Sequence, residues 1–138
     1  MHKIEHIGIA VKSLEESNQL FAQLFGKTHY KIEEVLSEHV NTSFFQLGDS
    51  KIELLEGTAP ESAISKFVEK RGEGIHHIAF AVEDIYAEME RLEKQGFRLL
   101  NKEPKKGADN MLVCFVHPKS ANGVLVEICQ PIPQEEND

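Results

Sequence analysis

Two stretches of this chain repeat one another, and they decide its fold. Residues 4–11 read IEHIGIAV and residues 75–82 read IHHIAFAV, so isoleucine, histidine, isoleucine, alanine and valine recur at matching places 71 residues apart. A chain in which one unit occurs twice predicts two similar modules that stack to share a core. Both stretches combine mostly apolar residues with a shared histidine, which is typical of a largely buried strand. Each half of the chain is therefore expected to begin with a strand.

An amphipathic helix is predicted after each of these strands. Apolar residues recur at helical spacing in residues 14–25 and 85–92, and a glycine follows each stretch. Ser13 and Asp84 are suitable N-cap residues for these helices. Three further strand patterns follow in each half: 29–35, 42–47 and 51–55 in the first, and 97–100, 112–117 and 124–129 in the second. Each half therefore predicts the order β-α-β-β-β.

We expect the two halves to form one domain of the α+β class. The predicted parts are a first module at about 1–57, a linker at about 58–74 with a short helix over 61–70, a second module at about 75–130, and an acidic, proline-rich tail over 131–138 that frays. A four-stranded half cannot cover both faces of its own sheet. Two halves side by side should form an incomplete, eight-stranded, barrel-like curved sheet with the helices outside. The concave face is then the natural ligand site.

Composition and charge exclude several classes of protein. The chain has 138 residues, of which 41% are hydrophobic and 28% charged, a balance typical of one globular domain. Its net charge of −8 disfavours nucleic acid as a partner, because no basic excess exists to neutralise phosphates. No apolar stretch is long enough to span a membrane, and the N-terminus has no signal-peptide pattern, so we expect a cytoplasmic protein. Cys114 and Cys129 lie in apolar strands and are expected to be buried free thiols.

His6 and His77 occupy equivalent places in the repeat. Because side chains alternate along a strand, each histidine shares its face with small residues such as Gly8 and Ala79. Small neighbours should leave open space in front of the imidazole for a metal ion and a substrate. His76 should point to the opposite face, and it is not a candidate ligand.

Two carboxylates complement the histidines. Glu127 lies in the strand VLVEIC at 124–129, where a lone buried carboxylate is costly unless it is paired, protonated or bound to a metal. Glu53 occupies the corresponding place in KIELLE at 51–56, 74 residues earlier. Two imidazoles and two carboxylates suit a borderline to hard divalent cation, such as cobalt, manganese, nickel, zinc or magnesium. The predicted metal ligands are therefore His6, Glu53, His77 and Glu127.

A local group of lysines has two interpretations. Lys102, Lys105 and Lys106, with Lys119 further along, could bind a phosphorylated small molecule in spite of the negative net charge. They could equally form a solvated loop. The residues alone leave both interpretations open.

These motifs resemble those of the methylmalonyl-CoA epimerases, which belong to the vicinal oxygen chelate superfamily together with glyoxalase I and the extradiol dioxygenases. The resemblance covers about residues 4–130. It rests on five stretches: IEHIGIAV at 4–11, IELLE at 52–56, KRGEGIHHIAF at 70–80, FVHPKS at 115–120 and GVLVE at 123–127. The last two are much more specific for the epimerases than the general strand pattern is.

The resemblance implies a fold, a reaction and a set of roles. It implies two βαβββ modules that form a cup, a homodimer, and one divalent cation per chain held by the four ligands above. The implied reaction interconverts (R)- and (S)-methylmalonyl-CoA, a step that feeds a cobalamin-dependent mutase in propionate metabolism. Glu127 would be the general base that removes the C2 proton to give an enolate. Lys119 and Ser120, with Lys105 and Lys106, would contact the coenzyme A phosphates.

One position departs from the pattern of the family. Some relatives carry a glutamate where this chain has Thr42, and a threonine cannot serve as a carboxylate base. The proton for the opposite face of C2 would then come from water, from a nearby residue such as His39, or from a single-base route. His117, which precedes a proline in a predicted loop, could also face the substrate.

Three other functions use parts of the same pattern. A glyoxalase I-like isomerase acting on a glutathione thiohemiacetal would use the same ligand types, but residues 70–74 and 117–120 argue against it. An extradiol dioxygenase needs two histidines and one glutamate, so Glu53 would be superfluous. A non-catalytic binding module of the bleomycin-resistance type needs no metal, and the presence of all four ligands argues against that interpretation.

Overall fold

The computed structural model describes residues 1–133, which form eight strands and three α-helices in this part of the chain. The elements are β1 (Lys3–Ala10), α1 (Leu14–Phe25), β2 (Lys31–Val35), β3 (Val40–Leu47), β4 (Ser50–Gly57), α2 (Ala63–Arg71), β5 (Gly74–Ala81), α3 (Ile85–Lys94), β6 (Lys105–Lys106), β7 (Met111–Val116) and β8 (Val126–Pro131). The predicted tail thus begins inside β8, and residues 134–138 of that tail lie outside the described residues.

All eight strands belong to one sheet, in the order β2-β3-β4-β1-β5-β8-β7-β6. The two halves of this sheet have the same internal arrangement, because β1 pairs with β4 in parallel and β5 pairs with β8 in parallel. The repeated strands β1 and β5 pair with each other in antiparallel orientation at the centre. The curved eight-stranded sheet predicted from the repeat is therefore confirmed.

The helices begin and pack as their sequences predict. The side chain of Ser13 accepts a hydrogen bond from the Glu16 amide, and that of Asp84 accepts one from the Ala87 amide, so both are N-caps. Helix α1 packs its apolar face on β3 and β4, around Phe45 and Leu54. Helix α3 covers β7 and β8 in a second cluster, which consists of Val82, Ile85, Met89, Leu92, Cys114, Val116 and Ile128.

The prediction of a strand over 97–100 is wrong. In that segment Leu99 forms only an isolated bridge with Val116, and the edge strand of the second half is the two-residue β6. The side chain of Asn101 explains the interruption, because its oxygen accepts the amide of Phe115 and its nitrogen donates to the Val113 carbonyl. These bonds satisfy the Phe115 amide and the Val113 carbonyl of β7, where pairing with a neighbouring strand would otherwise continue.

Two β-bulges interrupt the pairing of β1 with β5. The register shifts between Ile4 and His6, which leaves Glu5 as an extra residue, and again between Gly8 and Ile9, which leaves His76 as an extra residue of β5. A bulge turns one side chain away from strict alternation. Glu5 and His76 are themselves equivalent in the repeat, so each half carries a bulged residue directly before its central histidine.

Cys114 and Cys129 are both buried and free, as predicted. The Cys129 thiol donates to the carbonyl of Phe80 at 3.6 Å. Burial raises its pKa, and the nearby carboxylates of Glu127 and Glu5 add to this, so the thiol stays protonated. Within residues 1–133, no helix is long and apolar enough to cross a bilayer.

Candidate metal centre and active site

The four predicted ligands lie on the four central strands of the sheet. His6 is on β1, Glu53 on β4, His77 on β5 and Glu127 on β8, and each is no more than 6% exposed. The pairing register brings them to one level, since Gly8 lies opposite both Glu53 and His77 while Ala79 lies beside Glu127. The tandem repeat therefore places two imidazoles and two carboxylates at the middle of the concave face.

Three of these side chains converge on one point. The Nε2 atoms of His6 and His77 are 3.0 Å apart, and the Glu127 carboxylate lies 3.4 Å from the first and 3.8 Å from the second. Donor atoms that share one ion sit about 2.1 Å from it, and so roughly 3 Å from each other. The spacing of His6, His77 and Glu127 thus fits a shared divalent cation.

Glu53 approaches the same imidazole from its other side. Its carboxylate lies 3.0 Å from Nδ1 of His6, whereas His77 and Glu127 face Nε2. The structure thus brings Glu53 into contact with the predicted set but not onto the same donor point. A change in the Glu53 side-chain torsions is needed before it could join the other three as a ligand.

Burial and neighbouring charges shift the pKa values of three side chains in this cluster. Burial lowers the pKa of His77 well below the usual range, and the neighbouring His6 lowers it further. Burial also acts to lower the pKa of His6, but the carboxylates of Glu53, Glu5 and Glu127 outweigh it and raise the value to about 10. Burial raises the pKa of Glu127 to about 7. A divalent cation bound to deprotonated His6 would replace the positive charge that the protonated imidazole supplies to these buried carboxylates.

The small residues beside the histidines serve packing, contrary to the open space predicted for them. A Cβ atom on Gly8 would overlap the ring of His77, with Nδ1 only 2.6 Å away, so the missing side chain is the space that His77 fills. Ala10 is fully buried against Val40 and Leu55. The open space lies instead in front of the ligand cluster.

That space is a cavity of about 300 Å³ on the concave side of the sheet. Its floor carries the four predicted ligands, and its walls are mainly apolar, contributed by Val35, Val40, Leu55, Leu100, Met111, Val113, Phe115 and Leu125. Thr42 also lines it and is buried. Lys105 and Lys106 stand at its rim, where Lys105 forms a 3.3 Å ion pair with Glu38. Such a pocket suits a ligand with an apolar body and a chelating anionic end.

Glu5 also belongs to the site, although the sequence did not predict it there. Alternation would turn this side chain away from His6, yet the bulge brings its carboxylate to 3.2 Å from His6 Nδ1, at 4% exposure. Glu5 also accepts a 3.0 Å hydrogen bond from Lys51. Burial acts to raise the pKa of Glu5, but the bonds from His6 and Lys51 prevail and lower it. The available signal was a polar residue directly before the histidine in both copies of the repeat.

Lys51 links the Glu5 carboxylate to the second half of the chain. Its ammonium group donates to Asp109 at 2.6 Å, and Lys31 donates to the other oxygen of Asp109, also at 2.6 Å. Asp109 lies in the turn between β6 and β7 and adopts a left-handed conformation, with φ of 58°. Residues 107 and 108 of the same turn line the cavity. The ion pairs therefore hold one cavity wall against the first module.

The structure separates several other candidates from the cavity. Lys119 and Ser120 do not line it, and the Ser120 hydroxyl accepts a hydrogen bond from the amide of Arg98. His117 accepts the Lys119 amide, so its ring caps a short turn. His39 lies outside the lining and faces Glu61 at 3.8 Å.

His76, expected on the opposite face, instead contacts Nδ1 of His77 at 3.0 Å and lines the cavity.

Comparison with known proteins identifies the superfamily to which the sequence belongs. A sequence profile of the glyoxalase/bleomycin resistance protein/dioxygenase superfamily matches residues 5–115. The uncharacterized protein YqjC of Bacillus subtilis is 36% identical over 138 residues, which cover 100% of this chain and 99% of YqjC. The ethylmalonyl-CoA/methylmalonyl-CoA epimerase of Cereibacter sphaeroides is 39% identical over 130 residues, which cover 93% of this chain and 97% of the relative.

A solved structure gives the same result at the level of the fold. A variant of Streptomyces coelicolor methylmalonyl-CoA epimerase in complex with 2-nitronate-propionyl-CoA superposes with a TM-score of 0.89 at 32% identity. The match covers 95% of this chain and 98% of that structure. The chain therefore belongs to the glyoxalase/bleomycin resistance protein/dioxygenase superfamily and, within it, to the family of the methylmalonyl-CoA epimerases.

Proposed function

We propose that this chain is a metal-dependent epimerase that interconverts (R)- and (S)-methylmalonyl-CoA by proton abstraction at C2 through an enolate. The observation that carries the proposal is the buried cluster of His6, His77 and Glu127 at the floor of a mainly apolar cavity. Relatives of 32–39% identity that span nearly the whole chain are epimerases of acyl-CoA substrates by name.

His6, His77, Glu127 and Glu53 would hold one divalent cation; which cation it is stays open. When bound, such an ion acts as a Lewis acid that stabilises negative charge developing on the thioester oxygen. The buried, water-poor floor of the cavity strengthens every charge interaction made there.

Glu127 is the proposed general base. Its carboxylate takes the C2 proton, and the electron pair of the broken C–H bond moves onto the thioester oxygen to form the enolate. Burial raises the pKa of Glu127 to about 7 in the metal-free chain, which brings it closer to that of an effective base at neutral pH. A bound cation would lower that value again, so the pH profile of the loaded enzyme belongs to the whole cluster.

Inversion needs a proton on the opposite face of the enolate. Thr42 stands in the cavity wall and offers a hydroxyl without a carboxylate. His39 lies away from the lining residues, so it is a poor candidate for this role. We favour water within the cavity, or return of the proton by Glu127 itself after the enolate has turned.

The decisive experiment follows C2 of methylmalonyl-CoA in deuterated solvent, with protein stripped of metal and then restored with cobalt. We expect metal-dependent deuterium uptake that accompanies inversion and falls at least 100-fold in Glu127→Gln. Glu90→Gln, an exposed change on α3, should behave as wild type. Bound cobalt must be measured in Glu127→Gln, to separate a lost base from a lost ligand.

Absence of exchange with every divalent ion would refute the epimerase proposal, and the glutathione thiohemiacetal of methylglyoxal would be tested next. Deuterium in the inverted product indicates delivery by solvent, whereas retention of the original hydrogen indicates return by Glu127. The resemblance also suggests a homodimer, while the cytoplasmic location stays a prediction from the sequence. Exposed Leu20 and Leu24, one turn apart on α1, are candidates for a covered surface, and light scattering after gel filtration would give the mass.

A further inference from the structure

The two edge strands of the curved sheet, β2 and β6, are joined through one aspartate. Asp109 lies in the turn that follows β6. Lys31 of β2 donates to one of its carboxylate oxygens and Lys51 of β4 donates to the other, both at 2.6 Å. The backbone amide of Asp109 donates to Glu33 of β2 at 3.1 Å. These four residues, the Asp109 network, connect the two ends of the sheet through side chains.

The network holds a turn whose backbone conformation is uncommon. Asp109 and Asn110 are both left-handed, with φ of 58° and 56°, and the Gly107 amide donates to the Met111 carbonyl at 2.8 Å. Residues other than glycine keep such a conformation where the surrounding structure constrains them. Both carboxylate oxygens and the amide of Asp109 are bonded to the first module, and these bonds supply the constraint.

The same turn is part of the wall of the reaction cavity. Gly107 and Ala108 line the cavity, as does Met111 at the end of the turn. Gly107 already lies close to β7, because a Cβ atom at this position would be 3.0 Å from Cγ1 of Val113. The turn therefore has little room to move toward β7, and release of the Asp109 network should widen the cavity.

The network also connects this wall to the floor of the cavity. Lys51, which donates to Asp109, also donates to Glu5 at 3.0 Å. Glu5 in turn lies 3.2 Å from Nδ1 of His6. The backbone of Lys51 is paired with that of His6 in the sheet. A short series of polar contacts thus sets the position of the wall relative to the ligand cluster.

We propose that Asp109 is a positioning residue that sets the width of the reaction cavity and thereby limits the size of the C2 substituent on the substrate. Asp109 and Lys31 do not themselves line the cavity, so they act through Gly107 and Ala108. An apolar pocket distinguishes substrates that differ by one methylene group by about 10- to 200-fold. Part of that discrimination is lost when the wall is no longer held. The assignment rests on the proposed acyl-CoA substrate.

The test compares methylmalonyl-CoA with ethylmalonyl-CoA, which is larger by one methylene group at C2. In Asp109→Asn we expect kcat/KM for ethylmalonyl-CoA, relative to that for methylmalonyl-CoA, to rise at least about threefold over wild type. A loss of stability alone lowers both values equally and leaves their ratio unchanged. The control Asp49→Asn makes the same change at an exposed carboxylate outside the cavity, and it should keep the wild-type ratio.

Variants of Lys31 guard against misfolding of Asp109→Asn. Lys31→Met removes the charge and keeps much of the length of the side chain, so it should shift the ratio in the same direction. Its effect should be smaller, because Lys51 still bonds to Asp109. Lys31→Arg keeps the charge and should keep the ratio near the wild-type value. Equal ratios in Lys31→Met, Asp109→Asn and wild type would overturn the proposal.

Two measurements need no turnover. Hydrogen exchange followed by mass spectrometry should be at least about tenfold faster for the amides of residues 107–113 in Asp109→Asn than in wild type and Asp49→Asn. Calorimetric titration with the two thioesters should show the same relative gain in affinity for ethylmalonyl-CoA.

These measurements separate the role of Asp109 from the epimerase activity. A shifted affinity ratio in a chain that epimerises neither thioester would support the positioning role and refute the proposed function. An unchanged ratio in an active Asp109→Asn would overturn the positioning role, even with faster exchange, and the proposed function would stand.

Discussion

The imidazole of His77 on β5 fills the space that a side chain at Gly8 of β1 would need, across the central strand pair. A Cβ atom at position 8 would lie 2.6 Å from Nδ1 and 2.8 Å from Nε2 of His77, well inside contact distance. The two residues are paired in the register, so neither backbone can retreat without breaking the sheet. The second central histidine is thus positioned by the absence of a side chain on the first repeated strand.

Gly8→Ala should displace the His77 ring and weaken metal binding. We expect cobalt affinity, followed by the visible absorption of the bound ion, to fall at least about tenfold because one donor leaves the cluster. The matched control is Gly26→Ala, which adds the same methyl group to open space at the end of α1. It should cost about 1 kcal/mol of stability, because φ is 72° there, and leave cobalt binding unchanged. Wild-type cobalt affinity in Gly8→Ala would contradict this account of His77.

Glu5→Gln should weaken the metal site although it replaces none of the proposed ligands. The carboxylate lies 3.2 Å from Nδ1 of His6 and accepts a hydrogen bond from Lys51, so its charge orients the ring and balances a half-buried ammonium group. Loss of such outer partners typically lowers metal affinity about 10- to 100-fold. Cobalt titration of Glu5→Gln against Glu90→Gln measures the effect. A spectrum and affinity equal to those of the control would exclude a role for Glu5 in positioning His6.

The bonds of Asp109 predict a pH-dependent contribution to stability. Burial acts to raise the pKa of Asp109, but hydrogen bonds from Lys31 and Lys51 prevail and lower it from 3.8 to about 2. Because the pKa is lower in the folded than in the unfolded chain, the stabilisation is complete above about pH 5 and is lost as the pH falls toward about 2. Asp109→Asn should therefore unfold more easily than wild type at pH 7, by roughly 1–3 kcal/mol.

Urea denaturation of both proteins at several pH values measures this difference, which should shrink steadily below about pH 4. Asp49→Asn is a suitable control, since no ion pair of this carboxylate occurs among the described residues. A difference between Asp109→Asn and wild type that is constant from pH 7 to pH 3 would show that the Asp109 charge is not responsible.

Removal of the metal should destabilise the protein. Without a cation, the buried carboxylates of Glu53 and Glu127 lie beside His6, and Glu127 also lies 3.8 Å from His77. Cobalt at one hundred times its dissociation constant should add about 2.7 kcal/mol, which appears as a higher melting temperature. The shift should vanish in His77→Ala and be smaller in Glu53→Ala than in wild type. An equal shift in His77→Ala would place the bound cobalt elsewhere.

The repeat in the sequence determined the main architecture and the candidate ligands. Alternation in residues 4–11 and 75–82 is a local property of the chain, so it correctly predicted β1 and β5 and put His6 and His77 in equivalent places. The apolar neighbours of Glu53 and Glu127 are likewise a local property of the chain, and they identified both carboxylates as candidate ligands. A buried carboxylate is costly wherever the strand finally pairs.

Strand pairing decided what alternation could not. The bulges at Glu5 and His76 arise only when β1 and β5 pair. They turn these two side chains toward His6 and His77, whereas regular alternation along a single strand would turn them away. The predicted strand over 97–100 was wrong for a similar reason. Asn101 takes backbone partners of β7 that no pattern within its own segment reveals.

The most distant contacts belong to the tertiary structure alone. Asp109 meets Lys51 from 58 residues away and joins the two modules beside the cavity, in a backbone conformation that threonine or valine would not tolerate. A groove lined by Lys66, Lys70 and Arg71 likewise forms only where α2 passes the segment 118–124. Local periodicity sets which face of a strand or helix is buried, but only the packing of the modules sets which charges meet across it.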